Sequence, residues 1–246
     1  MTVLALDTTT HAGSVAVRRD GVLLEGRVGP ADVPHARRLP GEILELLRAR
    51  DVSLPEVSLY AVASGPGAFT GLRIGIATMQ GFAFAFHRPV IGVSALETLA
   101  HAVRAEARAS STPLIAAWMD AARGEVFTSL FSFEEDGGLT CVDEPAVASP
   151  GATMARWSAL VEERGVLFAG DGAVRYEPAI LTALGPRGRI VTPVPVLAGV
   201  IAELAEAAAS AGLAGPPHAL RPLYVRRPDA ELARDRTHTA PTPSGS

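Results

Sequence analysis

The chain has 246 residues, a net charge of −4, and 48% hydrophobic against 20% charged residues. That length allows one large domain or two small ones around a proper core, and the mild acidity gives no basic footprint for nucleic-acid phosphates, so any part in RNA chemistry would run through a partner. All 22 basic residues are arginine, which excludes a Walker lysine, a Schiff-base lysine and a lysine general base at every position.

In chain order, VLALD (3–7) is an apolar run closed by Asp7, and GSVAVRRDGVLLEGRV is a hairpin turning at Asp20-Gly21. No charged n-region or cleavage site marks the opening MTVLALD, so no signal peptide is expected and the compartment is read as cytoplasmic. Ala36 to Arg50 reads as a helix whose apolar residues Leu39, Ile43, Leu46 and Leu47 form one stripe, with Pro40 and Gly41 weakening its first turn. LYAVAS (59–64) is a strand feeding GPGAFTGLRIGIATMQGFAFAF (65–86), a glycine-rich turn and a helix that is apolar nearly all round. Its longest apolar run, Ile74 to Phe86, has 13 residues, the length of a buried helix and too short for a bilayer. Gly71, Gly75, Thr78 and Ala85 fall in one sector of that helix, where small residues permit close backbone approach. Whether another helix of this chain or a partner covers the second side stays open. PVIGV is a buried strand, and Ser94 to Glu97 is a capping box for the next helix.

A fainter copy follows. LIAAWMDAARGEVFTSLF (114–131) repeats strand, aspartate, short glycine turn, strand, with Asp120 to Gly124 matching Asp7 to Gly13. A duplicated ββαβα unit with a cleft between the copies is the expected architecture, an α/β fold with mixed sheets. The alternating run LTCVDEPAV carries the single cysteine, Cys141, as a half-buried structural residue; one cysteine forbids an intrachain disulfide and fits a reducing compartment. A helix opened by Ser149-Pro150, the strand VLFAG, the turn Gly170-Asp171-Gly172 and an alanine-rich helix from Val196 to Ala211 complete the pattern. Residues 1–100 are expected to form the first lobe, completed by helix 196–211, residues 101–195 the second, and 229–246 a disordered tail that can be deleted without loss of folding.

The glycine run resembles a phosphate cradle, yet it is neither G-x-x-x-x-G-K-[ST] nor G-x-G-x-x-G. Asp7, Thr8, Thr9, Thr10 and Asp120, with Gly170, Asp171 and Gly172, could line a cleft that takes phosphates and magnesium. Neither aspartate is followed early by a glycine that would let a phosphate approach the backbone, so the cleft reads as a degenerate nucleotide site. The rival is a kinase or ATPase of the same architecture. His35 is followed at i+4 by Leu39, so no helical histidine pair exists, and no metal centre is expected. No G-x-S-x-G elbow offers a nucleophile.

Taken together, HARRLPGEILELL, GPGAFTGLRIGIATMQGFAF, MDAARGEVF, GDGAVRY and RPLYVRR resemble the TsaB (YeaZ) family over Leu4 to about Arg227. The resemblance implies an actin-like ATPase (ASKHA) fold of two ribonuclease-H-like lobes. It also implies a non-catalytic partner for a TsaD-type subunit that makes N6-threonylcarbamoyladenosine at position 37 of tRNA, joined by a TsaE-type ATPase. The catalytic relative has a histidine pair where this chain has His35 and Leu39. No cofactor is implied, with ATP or ADP at a subunit junction left open, as is a homodimer of the isolated chain. A partner interface is expected among His35, Arg38, Leu39, Ile43, Leu46 and Leu47 on the first helix and Phe69, Gly71, Arg73, Gly75, Thr78, Met79 and Phe82 on the second.

Overall fold

In the computed structural model, which describes residues 1–134 and 138–226, TVLALD forms β1 (Thr2–Asp7), buried at every position. Cover on both faces is why this strand reads as a continuous apolar run. It pairs antiparallel with β2 (Ser14–Arg19), which turns into β3 (Val22–Val28) through Asp20 and Gly21. Both turn residues have positive φ, 47° and 79°, the geometry a two-residue hairpin needs and Asp-Gly tolerates. β4 (Leu59–Gly65) and β5 (Val90–Ser94) add in parallel beyond β1, giving the order β3-β2-β1-β4-β5.

The second half repeats the plan. β6 (Leu114–Asp120), β7 (Val126–Phe133) and β8 (Leu139–Ala148) are antiparallel, β9 (Val166–Ala169) and β10 (Gly188–Ile190) follow in parallel, and the order is β10-β9-β6-β7-β8. The turns after Asp7 and Asp120 are therefore equivalent positions of two ribonuclease-H-like sheets. This is the actin-like ATPase fold.

Seven α-helices accompany the described strands, six between strands and one after the last. α1 (His35–Ala49) and α2 (Phe69–Ala85) cover the outer face of the first sheet. α4 (Pro150–Val161), α5 (Asp171–Arg175) and α6 (Glu177–Leu184) cover the outer face of the second. α3 (Ala95–Ala109) and α7 (Ala198–Ser210) lie between the sheets, and each is exchanged: α3 packs chiefly on β6, α7 on β1 and β2. One central core joins Val3, Ala5 and Val93 of the first sheet to Ile115, Ala117 and Met119 of the second through Leu99 and Ile201. Ser94 caps α3 by accepting from the Glu97 N–H at 3.4 Å, and Ser149 caps α4 from Ala152 at 3.3 Å.

A boundary at residue 100 falls inside α3. Helix periodicity marks an apolar face without naming the sheet that takes it, and this helix belongs to both lobes. The two helices of 171–184 and the strand β10 are too short to leave a periodic signal. The expected tail, 229–246, lies outside the described residues. Among those described, no helix is long and apolar enough to cross a membrane.

Candidate functional site

The glycines of 65–75 bring α2 down onto the turn after β1. A Cβ on Gly67 would stand 2.6 Å from the Thr9 Cβ, one on Gly71 would overlap the Thr8 carbonyl oxygen, and one on Gly75 would overlap Thr8 Oγ1. Thr8 is fully buried and that hydroxyl has no hydrogen-bond partner in the described structure. The Ala68 N–H donates to the Thr9 carbonyl at 2.9 Å, so the two loops are also tied through their backbones. Where a P-loop leaves room for phosphate, this run is filled by the chain's own threonines.

The same turn is held from the other side by α1. His35 is buried, its Nε2 donates to the Thr10 carbonyl at 2.8 Å, and its Nδ1 accepts from Arg38 Nη2 at 2.7 Å. Burial pushes the imidazole below its ordinary pKa, which fits this neutral tautomer. Arg38 also donates to the carbonyls of His11 and Ala12 and forks onto Glu42 at 2.8 and 2.6 Å. Asp7, 3% exposed, turns inward and accepts from the Thr9 N–H at 2.9 Å and the Thr9 hydroxyl at 2.6 Å. Burial raises its pKa above the ordinary carboxylate value, against the lowering effect of those two bonds.

The second lobe is closed in the same manner. Asp120 Oδ2 pairs with Arg175 Nη1 at 2.6 Å, and its Oδ1 accepts from Ala122 N–H at 3.1 Å. Asp171 Oδ1 accepts from the Asp120 N–H at 3.0 Å and the Gly172 N–H at 2.9 Å, with a pKa raised by burial. A Cβ on Gly172 would meet the Met119 carbonyl carbon at 2.7 Å, so this glycine too serves close packing. Between the lobes remains a cleft of about 440 Å³, lined by Thr9, Thr10, Pro66, Asp120, Asp171 and, on one wall, Leu223 to Arg226. The wall 223–226 and the role of Arg175 escaped the sequence reading; RPLYVRR was visible only as a motif. No cluster of three or more metal-ligating side chains occurs among the described residues.

The residues expected at a partner surface divide. Leu39, Ile43, Leu46 and Leu47 are at most 2% exposed and pack with Leu4, Leu6 and Val15 of the first sheet, so the stripe on α1 faces the chain's own core. His35 and Arg38 clamp the β1–β2 turn, Gly71 and Gly75 seat against Thr8, and Met79 is fully buried. Phe82 is half-buried against Tyr60, with ring centroids 6.0 Å apart. What α2 leaves outside includes Phe69, Arg73, Ala77, Gly81 and Phe84, with Thr78 half-covered at their flank. Phe84 is 76% exposed.

A family model described as TsaD, tRNA N6-adenosine threonylcarbamoyltransferase, matches residues 30–157. Over a longer span, the tRNA threonylcarbamoyladenosine biosynthesis protein TsaB of Bacillus subtilis (strain 168) is 31% identical across 238 residues, 94% of this chain and 96% of that protein. The chain belongs to the TsaB (YeaZ) family. TsaB of Escherichia coli (strain K12) is 35% identical over 164 residues, 66% of this chain and 69% of its own. The solved YeaZ of Pseudomonas aeruginosa, 32% identical, superposes with a TM-score of 0.72 over 91% of this chain and 99% of its own. TsaB kinship thus extends over both lobes, beyond the stretch that the transferase model matches.

Proposed function

We propose that this chain is a non-catalytic subunit that binds a TsaD-type transferase and supports formation of N6-threonylcarbamoyladenosine at position 37 of tRNA, with a TsaE-type ATPase joining the assembly. The observation that carries the non-catalytic part is the engagement of Asp7, Asp120 and Asp171 by groups of this chain, with the β1–β2 turn filled by threonines against α2. Full-length likeness to proteins named for tRNA threonylcarbamoyladenosine biosynthesis supplies the pathway. The docking face we assign is the outer side of α2, from Phe69 and Arg73 through Ala77 and Gly81 to Phe84, because small residues there let a second helix approach closely. tRNA is met through the assembly, given the net charge of −4.

Reconstitution tests the assignment. The TsaD-type and TsaE-type subunits with unmodified tRNA should form the modified nucleoside, read by mass spectrometry, only when this chain is added. Ala77→Arg should keep the parent's melting temperature and lose at least tenfold in affinity for the TsaD-type subunit. Modification that proceeds equally well without this chain would sink the reading. Saturable ATP binding with turnover by the chain alone would favour a kinase or ATPase in its place.

A further inference from the structure

After α7 the chain runs along the first lobe and then crosses to the second with almost no regular structure. Gly215 bridges Val90, accepting from its N–H at 2.9 Å. Gln80 Nε2 donates to the carbonyls of Pro217 at 2.7 Å and Leu220 at 3.3 Å, and the Leu223 N–H donates to the Ser64 carbonyl at 2.7 Å. Two strand glycines make the channel. A Cβ on Gly92 would stand 2.5 Å from Leu220 Cδ1, and one on Gly65 would stand 2.5 Å from the Leu223 carbonyl oxygen. Tyr224 then stacks on Phe69 with ring centroids 5.3 Å apart and accepts from Arg73 Nε at 3.0 Å.

The far end is held differently. Arg226 Nη1 donates to the Ala121 carbonyl at 2.7 Å, its Nη2 bonds Glu125, and its guanidinium lies 5.6 Å from the Phe127 ring centroid. All three partners belong to the β6–β7 turn or the start of β7, so one forked, charge-assisted arginine ties the segment to the second lobe. Leu223 to Arg226 form a wall of the interlobe cleft, which means that the fate of this tie decides whether that wall stands.

We propose that residues 215–226 are an interlobe strap, seated in the Gly65–Gly92 channel of the first lobe and latched by Arg226 on the β6–β7 turn, whose release opens one wall of the cleft. The strap is a property of the isolated chain and does not depend on the partner-subunit reading. Its first-lobe anchorage is spread over backbone hydrogen bonds, the Gln80 and Arg73 side chains, the Tyr224–Phe69 stack and shape; its second-lobe anchorage is carried by Arg226, with Val225 packed on the central core. Such a segment opens locally, without unfolding the core elements it spans.

Hydrogen exchange on the whole chain tests this. Arg226→Met keeps the apolar stem and removes every donor. It should speed exchange of the Leu223 amide, which bonds the Ser64 carbonyl, and of the Ala121 amide, which bonds the Glu125 carbonyl, at least tenfold. Amides of β1 and β6 should stay as protected as in the parent, and chymotrypsin should cut after Tyr224 faster. Should the arginine variant fail to fold, Glu125→Gln carries the test, with a smaller increase at the same amides. Unchanged exchange along the strap would overturn the latch, and so would equal acceleration in β1 and β6, because that marks global unfolding.

Discussion

One added carbon separates the two roles a helical glycine can have. Alanine is favoured over glycine in a helix by about 1 kcal/mol, so a glycine with free space around it should gain stability on substitution. Gly81 has nothing within 4 Å of a new Cβ, and Gly81→Ala should raise the melting temperature. At Gly75 the new Cβ overlaps Thr8 Oγ1, and overpacking of this kind costs about 1–3 kcal/mol. Gly75→Ala should therefore lower the melting temperature, by roughly 2–4 °C per kcal/mol lost in a chain of this size. A rise at Gly75 like that at Gly81 would show that Thr8 yields freely. Asp7 gives a second residue-scale test. Its folded pKa lies above the ordinary 3.8, so the native state holds its proton more tightly than the unfolded chain. The associated stability is present below pH 3.8 and is lost as pH rises through the raised native value. Asp7→Asn keeps an acceptor for Thr9 and removes the buried charge. Urea unfolding should find the variant more stable than the parent at pH 7, with the advantage shrinking at pH 4; a variant weaker at pH 7 would mean that the ionised carboxylate is needed by the turn.

At the scale of the element, local chemistry was legible and its direction was not. The Asp20-Gly21 turn, the Ser94 and Ser149 caps and the stripe on α1 could be read because each depends on neighbours within one or two turns of chain. Which body meets the stripe depends on the sheet, and periodicity is the same whether the cover is β1 or another protein. Ile43 is fully buried against the first sheet, so Ile43→Ala should lose about 2–5 kcal/mol. A partner-facing residue would leave the melting temperature of the isolated chain unchanged, which makes thermal unfolding without any partner the deciding measurement. For α2 the glycine spacing pointed to close approach, and close approach is what Gly67, Gly71 and Gly75 provide. The object approached, the Thr8–Thr9 turn, lies some sixty residues away in sequence and leaves no mark on the local pattern.

For the whole molecule, the duplicated plan was readable from two aspartates that close equivalent strands, and helix 196–211 was expected on the first lobe, whereas the seating of α3 on the second sheet, the other half of the exchange, was not. An apolar helix between two sheets satisfies the same pattern on either. That exchange has a consequence for stability: without α7, the last α-helix of the described chain, the inner face of the first sheet at Val3, Ala5 and Val93 would lose its cover. Without α3, the inner face of β6 at Ile115 and Ala117 would be bared. Neither lobe can therefore unfold and leave the other's core intact, so the two should melt as one unit. The sequence provides the probes to check it. Both tryptophans, Trp118 on β6 and Trp157 on α4, lie in the second lobe, while far-ultraviolet circular dichroism reports helices and strands of both. Urea transitions followed by tryptophan fluorescence and by circular dichroism should superimpose, with one midpoint and one slope. A fluorescence midpoint displaced from that of the dichroism, or a biphasic dichroism curve, would mean that the lobes unfold separately and that α3 and α7 contribute less to the joint core than their burial implies.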